Sequence, residues 1–308
     1  MKRSTIKEAQ KKLNRILDVK MSKDGIVGPQ TTRYVHQFKK MAGMPNNGIL
    51  DFETVSAING WYIRLTKTNA FPITSRQFVV FVDAGHGGVD EDEVYRTHGK
   101  RAYHPGLELH KGGHYYEGYE NRIIAERFIQ ECTLKGINCI RTYHPIFDTP
   151  LSKRANLIKY WLRRGYFGYL HSFHSNAIES QDKQKLLNTT GFQIYTTRGQ
   201  TLSDKIASFH YENVKAQIGA DNWRFMEQKW TDNDVDFEAN FTILANTDTK
   251  EFDLYGGILE EFGFHSSAKD CAFIIQEETR QKRVAAALTT AIQAKYMFED
   301  LHEKSLSK

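Results

Sequence analysis

The chain has 308 residues, 40% hydrophobic and 26% charged, with 6 prolines; this globular composition excludes disordered, collagen-like and low-complexity proteins. Its length suits two ordinary domains, or one large and one small. The net charge of +5 favours an anionic partner, but the basic residues are dispersed and form no nucleic-acid-binding arm.

The first residues, Met1-Lys2-Arg3, run on into polar Glu8, Gln10, Lys11, Lys12, Asn14 and Arg15. They lack the apolar stretch of a signal peptide, so synthesis in the cytoplasm is expected. No apolar run approaches the eighteen or so residues of a membrane span, so no stable membrane insertion is expected. Ile6, Ala9, Leu13, Ile16 and Leu17 recur at helical spacing. After them, Asp24-Gly25-Ile26-Val27-Gly28-Pro29-Gln30-Thr31 is echoed by Asn47-Gly48-Ile49-Leu50-Asp51-Phe52-Glu53-Thr54. Each Asx-Gly is a turn signal, and each Thr precedes an amphipathic stretch: Val35, Phe38 and Met41, then Val55, Ile58 and Tyr62. Three short helices joined by two like turns are expected. The pattern resembles the peptidoglycan-binding domain of bacterial and phage wall hydrolases, on Gln10, Leu13, Asp24 to Thr31, Phe38 and Asn47 to Thr54. The residues alone also fit a generic docking bundle. Periodicity fades after residue 63, which predicts a binding domain at 1–65, a linker at 66–77 and a second domain at 78–308.

From residue 78, strand-like runs at 78–82, 138–141, 169–173, 192–195 and 258–262 alternate with helical patterns at 119–135, 152–163, 202–218 and 279–298. Such alternation predicts an α/β domain with a mostly parallel sheet flanked by helices, beside the small all-α bundle. Its active crevice belongs beyond the carboxyl ends of the strands. The first strand ends in Asp83-Ala84-Gly85-His86-Gly87-Gly88, and the third in His171-Ser172-Phe173-His174-Ser175-Asn176. Two histidines at equivalent strand ends can meet over the sheet edge. In the last strand, Glu260 and Glu261 point to opposite faces by period-two alternation, and a carboxylate buried there needs a metal or a partner. Cys132, Cys139 and Cys271 form no CxxC, so neither a disulfide framework nor a thiolate zinc site is expected.

Asp83 to Gly88, Arg154 to Asn156, Ser172 to Ala177 and Leu259 to Phe264 together resemble the zinc-dependent N-acetylmuramoyl-L-alanine amidase family. The resemblance implies a Zn2+ held by two histidines, here His86 and His174, and one glutamate. Glu108, Glu117 and Glu120 all lie in the right interval. In the family that glutamate opens a helix, with an Asn or apolar residue four positions on and Ile-Ala seven and eight on. Glu117 supplies Asn121, Ile124 and Ala125 in that register, so it is taken over Glu120. The Leu-x-Glu-x-Gly-Phe motif makes Glu261 the catalytic acid and base. Asp83 and Asn176 either orient ligands or stabilise turns. Arg154 either holds a substrate carboxylate or, the reading preferred, pairs within the fold. His98, His104, His110 and His114 read as solvated loop histidines, and the departure at His265–Asp270 as a matter of loop shape. The implied activity is hydrolysis of the bond between N-acetylmuramic acid and L-alanine in peptidoglycan, by a monomer resembling phage endolysins that acts on the wall after release. A zinc carboxy- or endopeptidase acting on stem peptides, and a wall-binding component without activity, are the alternatives.

Overall fold

Two units make up the chain, Met1–Thr74 with Val89–Val94, and Ser75–Gly88 with Tyr95–Lys308. The computed structural model describes residues 1–17, 19–42, 44–45, 47–66, 77–90, 92–110, 112–219, 223–228, 234–248 and 251–307. Most of the expected linker at 66–77 lies outside the described residues.

In the first unit the apolar periodicity is helical: α1 (Arg3–Leu17), α2 (Pro29–Met41) and α3 (Phe52–Thr66). Pro29 opens α2, where its missing N–H costs nothing. Leu13, Ile16, Val35, Phe38 and Ile58 are fully buried, and Phe38 meets Trp61 edge-on at 6.3 Å between ring centroids. The repeat is real in atoms. Asp24 Oδ1 accepts from the Ile26 N–H at 2.9 Å, and Asn47 Oδ1 from the Ile49 N–H at 3.1 Å. The Thr31 and Thr54 hydroxyls donate to the carbonyls of Ile26 and Ile49, each at 3.2 Å. Buried Gln10 secures the first copy, accepting from the Gly25 N–H at 2.8 Å and donating to the Ile26 carbonyl at 3.0 Å.

The second unit is built on β1 (Phe78–Ala84), an apolar run buried at every residue, as a strand covered on both faces must be. A short antiparallel hairpin follows, β2 (Arg101–Tyr103) with β3 (His114–Tyr116). Then come α4 (Glu117–Leu134), β4 (Cys139–Arg141), α5 (Leu151–Leu162) and β5 (Phe167–Asn176). The rest is α6 (Lys183–Asn188), β6 (Phe192–Thr196), α7 (Leu202–Ile218), β7 (Phe237–Glu238), α8 (Thr242–Ala245), β8 (Tyr255–Phe264), α9 (Ala268–Ile274) and α10 (Glu277–Leu306).

The sheet runs β4-β1-β5-β8-β6-β7. It is parallel except where β6 lies antiparallel to β8. Alternate residues of β1 serve two cores. Val80 and Val82 join a cluster with Phe128 of α4 and Ala287 and Phe298 of α10, whereas Val79 and Phe81 join one with Ile158 and Trp161 of α5. The expected α/β architecture with a mostly parallel sheet is thus present. It aligns the carboxyl ends of β1, β5 and β8, with Ala84 opposite Phe173 and His174 opposite Glu261.

Candidate metal centre and catalytic site

Past Ala84 the chain turns sharply at Gly85, where an added Cβ would lie 2.1 Å from Cε1 of His174. Only glycine lets the two histidine-bearing segments approach so closely. His86 follows with φ 65°, a conformation that costs a non-glycine residue of order 1–3 kcal/mol unless its surroundings enforce it. They do: Arg122 of α4 donates to the His86 carbonyl and to the Gly118 carbonyl, each at 2.7 Å. Gly118 itself is required, because a Cβ there would sit 2.0 Å from the Gly87 carbonyl oxygen. The first turn of α4 therefore rests directly on the His86 loop.

This contact brings Glu117 to the histidines. Its Oε1 lies 3.2 Å from His86 Nε2 and 3.0 Å from His174 Nδ1, and the Ser175 N–H donates to it at 3.3 Å. The two imidazoles stand nearly perpendicular, with centroids 5.1 Å apart. Burial raises the Glu117 carboxyl, but hydrogen bonds from His174 and His86, with the charge of His86 and His265, hold it well below the usual range. Burial lowers the His174 imidazole, against the pull of Glu117, which favours the neutral ring a metal requires.

One ligand atom from each of His86, Glu117 and His174 lies within 4.8 Å of the others, so the group could hold a metal ion. Ligand atoms about 3.3 Å apart suit one tetrahedral zinc ion, and the separations of 3.0 and 3.2 Å from Glu117 Oε1 to the two histidines are close to that span. Two nitrogens and a carboxylate are ordinary zinc donors.

Glu261 stands on the strand beside His174. Among the described residues its buried Oε2 has no hydrogen-bond partner. Burial, then the charge of Glu117, pushes its carboxyl well above the ordinary value. Glu260 points to the other side of the sheet. There it accepts from Arg283 Nε at 2.9 Å and lies 2.8 Å from His210 Nε2, and its carboxyl is drawn down to about 2 because Arg283 and His210 outweigh burial. His171, His210 and Glu260 are also a group of metal-ligand chemistry, but the Arg283 guanidinium already supplies the cation. Arg283 also donates to the His174 carbonyl at 3.1 Å, tying this network to the histidine's strand.

Asp83 is fully buried and accepts from Arg154, Thr142 and Ser172 at 2.8, 2.6 and 2.8 Å. Arg154 is 1% exposed and also donates to the carbonyls of Ala84, His86 and Thr149. Asn176 donates to Gln193 Oε1 at 2.7 Å, and its own Oδ1 accepts from the Ala177 N–H. Glu120 faces Arg280 at 2.6 Å and His110 at 3.2 Å, away from the pair His86 and His174.

Two expectations need correction. His104, His110 and His114 are not solvated loop residues: His104 Nε2 lies against the His265 carbonyl oxygen, His110 Nδ1 accepts from the Tyr116 N–H with its Nε2 against Glu120, and His114 opens β3 with its ring stacked on Tyr116. His265 bears on more than loop shape. Its Nδ1 lies 2.9 Å from the Ser175 carbonyl and 3.9 Å from Glu117 Oε2, and its ring stacks on Tyr115. Its one signal was its position directly after the last strand's motif.

Residues 80–294 match the family model of N-acetylmuramoyl-L-alanine amidase, and residues 2–58 that of a peptidoglycan binding domain. No curated protein matches the chain. Among solved structures it is similar to an N-acetylmuramoyl-L-alanine amidase from Clostridium difficile 630, at 20% identity and a TM-score of 0.50, over 72% of this chain and 98% of that one. It is also similar to the catalytic domain of an amidase from Bacillus (Paenibacillus) polymyxa var. colistinus, at 19% identity and a TM-score of 0.48, over 71% and 97% of the chains. An amidase from Nostoc punctiforme follows at 18% identity and a TM-score of 0.47, over 72% and 98%.

Proposed function

The chain belongs to the N-acetylmuramoyl-L-alanine amidase family, and from that premise we propose that His86, Glu117 and His174 hold zinc while Glu261 moves the proton in hydrolysis of the N-acetylmuramic acid–L-alanine amide. The observation that carries this reading is the convergence of the three donor groups beside a carboxylate on the adjacent strand.

Zinc bound there supplies a Lewis acid for the scissile carbonyl and a water that ionises near neutral pH. Glu261 takes the proton of the attacking water and returns it to the departing nitrogen. Its carboxyl, raised by burial and by the charge of Glu117, suits the second half of that task, the return of the proton. Arg122 and Arg154 fix the turn that presents His86. Residues 1–65 act as a wall-binding domain and 78–308 as the catalytic domain, joined by 66–77. Holding the enzyme on its polymeric substrate raises the effective concentration of the cleaving site. One copy of the chain carries every group the chemistry uses. Among the described residues no helix is long and apolar enough to cross a membrane.

The test is mass spectrometry of peptidoglycan digested by the wild type, Glu261→Gln and His174→Ala, with metal content measured for each. Stem peptides beginning at L-alanine are expected from the wild type, with metal in it and in Glu261→Gln but not in His174→Ala. Glu261→Gln should be slower by at least about 100-fold. Cuts inside the stem peptide, or near-normal turnover by Glu261→Gln, would refute the reading.

A further inference from the structure

On the face of the sheet that Glu260 joins, α10 packs Val284, Ala287 and Ala291 into one apolar cluster with Phe173 and Phe262. Arg283 lies among them, 1% exposed. Its guanidinium carbon sits 4.6 Å from the ring centroid of Phe262 and 5.6 Å from that of Phe173. A guanidinium in such a place needs a charge partner and hydrogen-bond acceptors. Nε donates to Glu260 Oε1 at 2.9 Å, and Nη2 donates to the main-chain carbonyl of His174 at 3.1 Å. Nη1 has no hydrogen-bond partner among the described residues, so these two contacts hold the head group. Glu260 is braced in turn by His210 Nε2 at 2.8 Å, and His210 Nδ1 lies 3.1 Å from Thr290 Oγ1 on α10. Glu260 fills an open position of the Leu-x-Glu-x-Gly-Phe motif, so the motif itself does not call for this pair.

The carbonyl that Arg283 holds stands where the strand ladder becomes irregular. The Phe173 carbonyl accepts from Gly85 on the β1 side. Successive carbonyls along a strand turn to opposite neighbours, so that of His174 turns toward β8. On that side the register shifts between His174 and Asn176, and a shift of this kind disrupts the ladder. Arg283 places a fixed donor at the break. Resting on the zinc reading above, we propose that Arg283 is a positioning residue for His174: braced by Glu260, it holds the main chain from which that imidazole reaches the metal. Removing a group that orients a ligand without touching the ion lowers metal affinity or activity by about 10–100-fold.

The test measures metal affinity by chelator competition, and the absorption spectrum of the Co2+-loaded full chain. It compares the wild type, Glu260→Gln, Arg283→Lys and the paired variant Arg283→Met with Glu260→Met, with urea unfolding recorded for each. Replacing both members of a buried pair leaves no stranded charge, so the paired variant separates positioning from stability. Glu260→Gln keeps an acceptor for Arg283 Nε and should bind metal as the wild type does, although it is less stable. The paired variant should bind metal about 10–100-fold more weakly, with an altered cobalt spectrum. Arg283→Lys keeps a cation beside Glu260 but loses the fork that serves two acceptors at once, and its affinity should fall in the same direction. Wild-type affinity and spectrum in Arg283→Lys or in the paired variant would overturn the proposal. So would an affinity that simply tracks stability across all the variants, Glu260→Gln included. If His174→Ala binds metal as tightly as the wild type, the zinc reading falls and the proposal with it.

Discussion

Replacing Arg154 by leucine keeps much of the side chain's volume and removes its guanidinium from the buried interior of the second unit. In the wild type that group donates to Asp83 Oδ1 and the Ala84 carbonyl at 2.8 Å, to the His86 carbonyl at 3.2 Å and to Asp148 at 3.1 Å. The variant leaves Asp83, fully buried, with the Thr142 and Ser172 hydroxyls. Breaking one side of a buried pair costs about 3–5 kcal/mol, and that loss is expected at pH 7. The loss should also depend on pH. In the wild type, burial raises the Asp83 carboxyl, but Arg154 and the Thr142 hydrogen bond outweigh it and the net shift is downward. A depressed carboxyl contributes stability above its unfolded pKa, and this is lost as pH falls through the folded value. Without Arg154 the largest cause opposing burial is gone and the carboxyl moves upward, so protonation penalises the folded variant less than the wild type. The gap between the two proteins must narrow from pH 7 to pH 4. Urea unfolding at both pH values, read by hydrogen exchange of the β1 and β5 amides, measures it. A loss under about 1 kcal/mol at pH 7, or one that is the same at both pH values, would refute the reasoning.

Gly118→Ala, ordinarily favourable inside a helix, should destabilise here by about 1–3 kcal/mol, because the new Cβ would press on the Gly87 carbonyl. Chelator competition should show weaker metal binding as well; unchanged affinity would sink the close-contact argument. Glu260, held at about 2, contributes about 3 kcal/mol above its unfolded pKa, fading as pH falls from about 5 toward 2. Glu260→Gln should therefore be less stable at neutral pH yet lose less on acidification. Parallel urea-midpoint curves for the two proteins would contradict this.

The elements legible in the sequence are those whose burial is periodic. β1, α7 and the three N-terminal helices follow their apolar spacing closely. The ends of α10 escaped, since Glu277 and Leu306 lie beyond the apolar periodicity and are helical by propensity. The β2–β3 hairpin, α6 and β7 are too short to show a period, and β2 is largely exposed. At the site, glycine-flanked histidines at strand ends are a local signal, whereas Glu117 is taken over Glu120 only on the pattern that the family resemblance implies. His265 and Arg283 reach the site through contacts 90 and 109 residues away in sequence, and no local pattern encodes such a pairing. The two glutamates of β8 were separated correctly by alternation, but the partner of Glu260 comes from a helix further along the chain.

The pairing of β5 with β8 also fixes a time order for the molecule. His174 faces Glu261 across 87 residues of chain, and contacts so distant in sequence form late, after a large loss of chain entropy. During synthesis the chain carries His86, Glu117 and His174 well before it carries β8. Until β8 is inserted, β5 presents an open edge to any strand that passes. The step that closes that edge is the step that delivers Glu261, so under the proposed mechanism hydrolytic competence arrives only with the completed sheet. A nascent or partly unfolded chain can hold donor groups for a metal and still cut nothing.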